Sequence, residues 1–323
     1  MTYLRAIAAI VLAFMVATAG ANAQTYPTRP VTIIVPYAAG GATDLLARLL
    51  GQRLEQKFGK AFIIENRPGA GTVIAAQAVA RATPDGYTLL MGTSTPLAIN
   101  ATLHKNLPYN PGTDFVPIAL VASVPFVLVV NPSLPVHSVG DLIRLAKEKP
   151  GTLSYGSSGP GSPHHLYAEL LKSMTGIEMT HVPYKGSVPA LTDVVANHIP
   201  LIFVDLAPAQ PMIKDGRVRA LGVSSAIRVP SLPDVPPIEA TVPGFEAVAW
   251  QMLVAPANTP KDVVERLHTE MKAILAMPEV KQQIAVLGMI PRDTPPVDEL
   301  TRYIKSEIQR WGAVVKKSGA SIE

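Results

Sequence analysis

The sequence contains no cysteine in 323 residues, and only 16% of its residues are Asp, Glu, Lys or Arg. Without cysteine the chain can form neither disulfides nor thiolate metal sites, and it has no cysteine to carry a lipid. Its cations form no basic run or arm, which disfavours nucleic-acid binding because that requires clustered cations. Stability must therefore come from the burial of apolar side chains.

Residues 1–23 have the composition of a secretory signal peptide. One cation, Arg5, precedes an apolar run over residues 6–19, and the segment ends in Ala21-Asn22-Ala23, the small-residue pattern of a cleavage site. The run is too short to span a bilayer comfortably, and no later stretch reaches eighteen apolar residues. We therefore expect cleavage after Ala23 and export of a soluble chain.

The remaining chain is long enough for two domains. About 300 residues exceed what one compact core usually holds. Without Arg5 the chain keeps 27 of its 28 Lys and Arg against 24 Asp and Glu, a weak positive balance spread thinly along the sequence. Such a balance favours an ordered globular protein without a polyanionic partner.

Residues 31–50 combine an apolar run, a turn of small residues and an amphipathic run. Residues 31–35 are all β-branched, as in a strand buried on both faces, and leucines at 45, 46, 49 and 50 recur at helical spacing. Gly40 and Gly41 between them permit φ > 0 and let a ligand approach main-chain N–H groups at the start of a helix. Such a loop suits an anion, although an ordinary strand-to-helix turn has the same pattern. It lacks the signatures of a nucleotide-binding loop.

Two further strand-and-helix units complete the first hundred residues. Strands are predicted at residues 61–65 and 87–92, and helices at residues 72–82 and after Pro96. Ser94 and Thr95 follow the third strand and are expected to cap that last helix. Because open α/β sheets bind ligands at the carboxyl ends of their strands, both are candidate ligand contacts.

Residues 152–171 repeat the pattern of strand, glycine loop and helix. Ser162 is the expected N-cap with Pro163 at the first helical position, and the helix is expected to bury Leu166, Leu170, Leu171 and Met174. A helix capped by Ser138 precedes this unit.

The chain is expected to pass between two domains twice. Extended segments over residues 116–130, broken at Pro117 and Pro125, lead into the second domain, and a strand beginning near Trp250 returns to the first. Two crossings form a hinge, and two facing glycine loops would clamp one small ligand.

Several segments together resemble the substrate-binding proteins of tripartite tricarboxylate transporters, also called the Bug family. Besides the signal peptide they are residues 26–30 (YPTRP), 35–44 (VPYAAGGATD), 65–71 (ENRPGAG), 85–90 (DGYTLL), 155–159 (YGSSG), 182–186 (VPYKG) and 255–260 (APANTP). The match covers essentially the whole mature chain, and the segments are specific in combination. The resemblance implies an α/β fold of the two-domain type II periplasmic binding-protein class, in which each domain is a mixed sheet flanked by helices with the ligand cleft between them.

The resemblance also implies how a ligand is held. In such proteins a carboxylate lies between the first glycine loop and a facing loop of the second domain, bound by main-chain N–H groups, hydroxyls and water. Carried onto this sequence, the contacts are Tyr37, Ala38, Ala39, Gly40, Gly41, Ala42 and Thr43, then Ser157, Ser158, Gly159 and Ser162. One departure is Gln251-Met252, where many members have a glycine-aromatic pair, and it alters the expected size of the cleft.

Five other residues are weighed singly. His164 and His165 are adjacent and point to different helix faces, so no metal site and no cofactor are expected. His165 is either a ligand contact or a packing residue. Tyr184 and Lys185 lie in a matched segment, and Lys185 is the one cation expected near the cleft, although an isolated lysine is more often solvated. Asp205 ends a buried strand and could face the ligand or cap the next helix.

The predicted protein is a periplasmic, monomeric binding component that delivers a small organic carboxylate to the membrane subunits of a transporter. Domain 1 is expected to comprise residues 24–128 and 249–323, and domain 2 residues 129–248. A protein that signals to a periplasmic sensor is one alternative, which neighbouring genes would distinguish. A serine hydrolase is another, since residues 157–162 resemble an amidase-signature loop, but no G-x-S-x-G elbow exists.

Overall fold

The computed structural model describes residues 26–322, so the predicted signal peptide and its cleavage site lie outside the described residues. The strands in this range are β1 (Val31–Val35), β2 (Phe62–Asn66), β3 (Thr88–Thr93), β4 (Phe115–Val124), β5 (Phe126–Val130), β6 (Ser154–Ser157), β7 (Thr180–Pro183), β8 (Leu201–Asp205), β9 (Arg219–Val223), β10 (Ala249–Pro256) and β11 (Ile290–Pro291). The helices are α1 (Ala42–Phe58), α2 (Val73–Ala80), α3 (Asn100–Leu103), α4 (Val139–Glu148), α5 (Pro163–Thr175), α6 (Ser187–Val195), α7 (Leu206–Lys214), α8 (Lys261–Ala276), α9 (Pro278–Val286) and α10 (Val297–Ser318).

Three helix ends follow the capping signals of the sequence. Gly59 ends α1 in the left-handed region at φ 66°, and its N–H group donates to the carbonyl of Glu55. Ser138 and Ser162 begin α4 and α5, and each side chain accepts a hydrogen bond from a main-chain N–H group of the first turn. The predicted starts of α4 at Ser138 and of α5 at Ser162 are confirmed.

The first sheet has six strands in the order β11-β4-β10-β3-β1-β2. Strand β1 lies between β2 and β3 and is parallel to both, and its β-branched side chains are buried as predicted. Helix α1 covers this sheet with Leu46, Leu50 and Leu54. Leu45, predicted to face the core, is 43% exposed because it lies beside that buried stripe.

The second sheet has five strands in the order β7-β6-β8-β5-β9. The chain enters it at Pro125, between β4 and β5, and returns in β10, which pairs antiparallel with β3 and β4. The predicted break at Pro117 is wrong, since β4 continues through it. Pro117 lies opposite Val254 beside a register irregularity, and such irregularities are where a sheet tolerates a residue without an N–H group.

Helix α10 holds the returning strand β10 against helix α5. The side chain of Glu307 in α10 is buried and accepts hydrogen bonds from the indole nitrogens of Trp250 and Trp311, at 2.8 and 3.0 Å. Trp311 stacks on Tyr167 of α5, with ring centroids 5.5 Å apart. Met174, predicted on the buried face of α5, is instead 38% exposed two turns beyond Tyr167.

Candidate ligand-binding site

A cavity of about 520 Å³ is lined by residues from both sheets and from the loops that follow their strands. On the side of the first sheet its polar lining comprises side chains or main-chain groups of Tyr37, Gly41, Ala42, Thr43, Thr72, Thr93, Thr95, Asn100, His104 and Gln251. On the side of the second sheet it is Ser158, Ser162, His164 and Asp205. Most of these positions lie at or after the carboxyl ends of β1, β3, β6 and β8, where α/β sheets commonly place their ligands, and Gln251 lies within β10.

The loop after β1 brings the start of helix α1 to the cavity. No described side chain caps this helix, so the main-chain N–H groups of Ala42 and Thr43, both in the lining, have no partner within the helix. The positive end of the helix dipole lies at the same place. This corner of the cavity is therefore suited to an anion.

The glycines of this loop have other roles than the sequence suggested. Gly40 adopts φ +83°, but its N–H group donates to Asp44 Oδ2 at 2.8 Å, and neither Gly40 nor its neighbours Ala38 and Ala39 line the cavity. Gly41 does line it, with φ −76° in the extended region. The left-handed conformation of Gly40 thus shapes the loop, while Gly41, in an extended conformation, lines the cavity.

Asp44 fixes the first loop, a function that the sequence alone did not reveal. Its buried carboxylate accepts hydrogen bonds from Gly40, from Arg48 Nε at 3.0 Å and from Asn66 Nδ2 at 3.0 Å, and Asn66 also donates to the carbonyl of Tyr37. Burial raises the pKa of Asp44, but these hydrogen bonds outweigh it and hold the pKa below its ordinary value. The ionised carboxylate therefore ties the loop to strand β2.

Hydroxyl groups at the end of β3 form the adjoining surface. The hydroxyl of Tyr37 lies 2.9 Å from Thr93 Oγ1, and burial raises the pKa of Tyr37, so the phenol stays neutral. Thr95 lines the cavity, as predicted by position. Ser94 does not: it is buried, it already has helical backbone angles of φ −52° and ψ −29°, and its side chain makes no capping hydrogen bond.

His164 links Ser158 to Asp205 on the opposite side. Its Nδ1 lies 2.8 Å from Ser158 Oγ, and its Nε2 lies 3.1 Å from Asp205 Oδ2. Burial raises the pKa of Asp205, but the hydrogen bond and charge of His164 outweigh it and hold the pKa below its ordinary value. Asp205 lines the cavity and makes no side-chain cap to α7. Sequence reasoning gave the neighbouring His165 as a candidate ligand contact and did not identify His164.

His165 is a packing residue, the second of the two alternatives. Its ring stacks on that of His181 with centroids 4.0 Å apart, and its Nδ1 accepts from the N–H group of Gly161 at 3.0 Å. Burial, then repulsion from His181, lowers the pKa of His165 to about 4. Ser157 bonds His181 Nε2 at 2.6 Å and accepts from the N–H group of Gly159. His165, Ser157 and Gly159 therefore support the second loop without lining the cavity.

Tyr184 and Lys185 also lie away from the cavity. The hydroxyl of Tyr184 donates to Asp193 Oδ2 at 2.7 Å, and Lys185 is exposed to solvent. Among the described residues, none that lines the cavity is Lys or Arg, and no group of three metal-ligating side chains is present. The polar groups that the cavity offers are therefore N–H groups, hydroxyls, carboxamides and imidazoles rather than a lysine.

The apolar part of the lining includes a close contact between the two sides. Leu103, Val124, Phe126, Met289 and Ile322 form this wall. The backbone of Gly161 in the second loop packs directly on Leu103 of the first side, so that a Cβ atom at Gly161 would overlap the leucine methyl groups. The cavity thus joins an anion-binding corner to a wall that fits a hydrocarbon body.

Two mixed sheets that exchange the chain twice around a ligand cavity define a solute-binding protein of the type II periplasmic class. Residues 46–320 match the model of the tripartite tricarboxylate transporter family receptor, and the chain belongs to that family. It is a periplasmic solute-binding receptor and not an enzyme, as predicted.

Curated relatives match over nearly their whole length. BugT of Bordetella pertussis is 36% identical, covering 100% of this chain and 99% of the relative. The UPF0065 protein in the tcbD-tcbE intergenic region of Pseudomonas sp. is 37% identical, covering 96% and 93%. The resemblance proposed from sequence segments is therefore confirmed.

Solved structures agree in fold, and two of them contain organic acids. A protein of R. palustris with adipate is 41% identical, with a TM-score of 0.78, and the match covers 92% of this chain and 99% of that one. MatC of Rhodopseudomonas palustris, with bound malate, is 32% identical, with a TM-score of 0.74 and coverage of 90% and 100%. Within residues 26–322 of this chain, no helix has the length and apolar character needed to cross a membrane.

Proposed function

We propose that this protein captures a small organic carboxylate with an apolar body and delivers it to the membrane subunits of a tripartite transporter. The observation that carries the proposal is the uncapped start of α1, whose N–H groups at Ala42 and Thr43 open into the cavity. Such a helix end stabilises an anion through its dipole and its unpaired donors. The adipate and malate in two related structures support the same ligand class.

His164 completes the anion site from the second loop. When the imidazole is neutral and Nε2 donates to Asp205, Nδ1 accepts from the Ser158 hydroxyl, and that hydroxyl has no hydrogen left for the ligand. When the imidazole is protonated, Nδ1 donates to Ser158, whose hydrogen is then free to bond a carboxylate. The protonated ring also balances the second negative charge that the ligand brings beside Asp205. The hydrogen bonds of His164 therefore decide whether the Ser158 hydroxyl can donate to the ligand.

The apolar wall of the cavity favours a ligand with an apolar body. The wall is complete only when the two sides of the cavity are closed on each other. Burying a hydrocarbon or aromatic group against Phe126 and Leu103 contributes about 25 cal/mol per Å² of apolar surface.

Closure occurs, on this proposal, between domain 1 (residues 24–128 and 249–323) and domain 2 (residues 129–248). The boundary between the two domains that was predicted after residue 128 is better placed at Pro125, because all of β5 pairs with the second sheet. The protein acts as a monomer.

A ligand screen tests the function. Thermal unfolding is followed with aliphatic and aromatic carboxylates, amino acids and neutral analogues, and stabilising compounds are titrated by calorimetry. Carboxylates with apolar bodies should raise the unfolding temperature and bind equally well to Lys185→Ala, whose side chain is exposed and remote from the cavity. If only neutral or cationic compounds stabilised the protein, the proposal would be wrong.

Experiments can distinguish the proposed transport function from two alternatives, a serine hydrolase and a sensing protein. The hydrogen-bonded Ser158, His164 and Asp205 have the residue types of a hydrolase triad, but the family is one of transporter receptors, which supports a binding role in which His164 orients the Ser158 hydroxyl. An acyl-serine probe should leave Ser158 unlabelled. A sensing role would be favoured by neighbouring genes that encode a receptor instead of transporter subunits.

A further inference from the structure

Gln251 places a polar side chain in the floor of the cavity. It lies in β10, where its backbone pairs with Thr93 of β3 on one side and with Ala122 of β4 on the other. Its side chain lines the cavity, and the residue is only 4% exposed. A glutamine at such a position is held in place by the sheet and has few alternative rotamers, so its amide acts as a fixed feature of the binding surface.

Only half of this amide is paired. Gln251 Nε2 donates to Thr43 Oγ1 at 3.0 Å, whereas Gln251 Oε1 is buried and has no hydrogen-bond partner among the described residues. A buried carbonyl without a partner is unfavourable, and such groups in native structures usually meet a ligand or a water molecule. The free acceptor therefore points to a donor that arrives with the ligand.

Thr43 supplies the complementary group beside it. Because its oxygen accepts from Gln251, its hydroxyl hydrogen remains available to donate, and its main-chain N–H group belongs to the uncapped first turn of α1. One corner of the cavity thus presents donors from Thr43 for a carboxylate oxygen and an acceptor from Gln251. The matching ligand carries a carboxylate and, close to it, a hydrogen-bond donor.

Resting on the proposed carboxylate function, we propose that Gln251 is a specificity-determining residue that selects hydroxylated carboxylates through a hydrogen bond to its Oε1. A neutral hydroxyl fits better than an ammonium group, because a buried cation requires a paired anion. The carboxylate of Asp205 is already bonded to His164. Amino acids should therefore bind more weakly than the corresponding hydroxy acids.

The test compares acids that differ by one hydroxyl group: malate with succinate, and mandelate with phenylacetate, with aspartate as the amino analogue of malate. Calorimetric titration of the wild-type protein should give at least one pair in which the hydroxy acid binds about tenfold more tightly or better. In Gln251→Met, which has similar volume but no amide, that hydroxy acid should lose about ten- to a hundredfold in affinity, while its partner changes little. Gln52→Met, an exposed glutamine of α1, should behave as wild type.

The possible outcomes separate the two proposals. Equal affinity for both members of each pair in the wild-type protein overturns the role of Gln251 and leaves the carboxylate function intact. An equal loss for both members in Gln251→Met overturns it as well. If none of these acids, and no other carboxylate of the screen, stabilises the wild-type protein, the carboxylate function fails and this inference fails with it. The wild-type comparison does not depend on the folding of any variant.

Discussion

Gly161 is the residue at which the closed cavity is most sensitive to a single added atom. It has φ +72°, and a Cβ atom there would overlap Cδ1 and Cδ2 of Leu103 across the cavity. Gly161→Ala should therefore hold the second loop away from the first side and weaken carboxylate binding. The overlap lies between the two sides, so the variant tests closure rather than the fold of either sheet.

The size of the effect follows from contact distances. Carbon atoms in normal contact are about 3.5–4.0 Å apart, so the loop must retreat by about 1 Å or Leu103 must change rotamer. A hydrogen bond stretched by about 1 Å is lost, and each bond to a charged ligand is worth about 1.5–3 kcal/mol. Loss of one such bond from Ser158 corresponds to about ten- to a hundredfold in affinity.

Calorimetry and solution scattering measure this effect, with a matched control at the opposite end of helix α5. Gly176→Ala carries the same backbone penalty, since Gly176 has φ +71°, but an added Cβ meets no described atom within 4 Å. It should lower stability by about 1–2 kcal/mol without changing affinity. Gly161→Ala should bind weakly and show a larger radius with ligand than the wild type.

Removal of the obstructing side chain should restore binding. The double variant Gly161→Ala, Leu103→Ala relieves the overlap at the expense of some buried apolar surface, and it should recover most of the lost affinity. Wild-type affinity in Gly161→Ala, or no recovery in the double variant, would refute the conclusion that this contact sets closure.

Three further predictions concern charge and pH. Because burial lowers the pKa of His165 from 6.5 to about 4, the unfolded chain takes up the proton first as pH falls; stability is intact above pH 6.5 and should decline towards pH 4 by about 3 kcal/mol. Urea titrations measure this decline, which should be smaller in His165→Phe; equal declines would contradict it. His164→Phe should weaken carboxylate binding by about tenfold, because Asp205 then lacks its hydrogen-bond donor and its negative charge lies unpaired beside the ligand; unchanged affinity by calorimetry would contradict this. Lys185→Ala should bind within about twofold of wild type, since this exposed lysine lies outside the cavity; a tenfold loss by calorimetry would show that a salt link dominates.

The sequence alone determined the local elements of this protein. The β-branched run at residues 31–35 indicated a strand buried on both faces, and Ser138 and Ser162 marked helix starts that the structure reproduces. These features depend on hydrogen bonds within about four residues and on side-chain periodicity. The family resemblance rested on equally local segments and gave the fold class.

Tertiary structure decided which of these local features meet the ligand. Periodicity places His164 and His165 on different faces of α5, but it does not say which face turns to the cavity and which stacks on His181 of strand β7. The pairing of Gln251 with Thr43 joins residues 208 positions apart, and no local pattern encodes it. The sequence likewise showed Gly40 as a flexible turn, whereas its N–H group is taken by Asp44 and only the next residues face the cavity. Sequence spacing fixes which side chains share a face, but the choice among faces is made when the two sheets pack, because only packing determines which apolar surfaces are buried and which polar groups keep their partners.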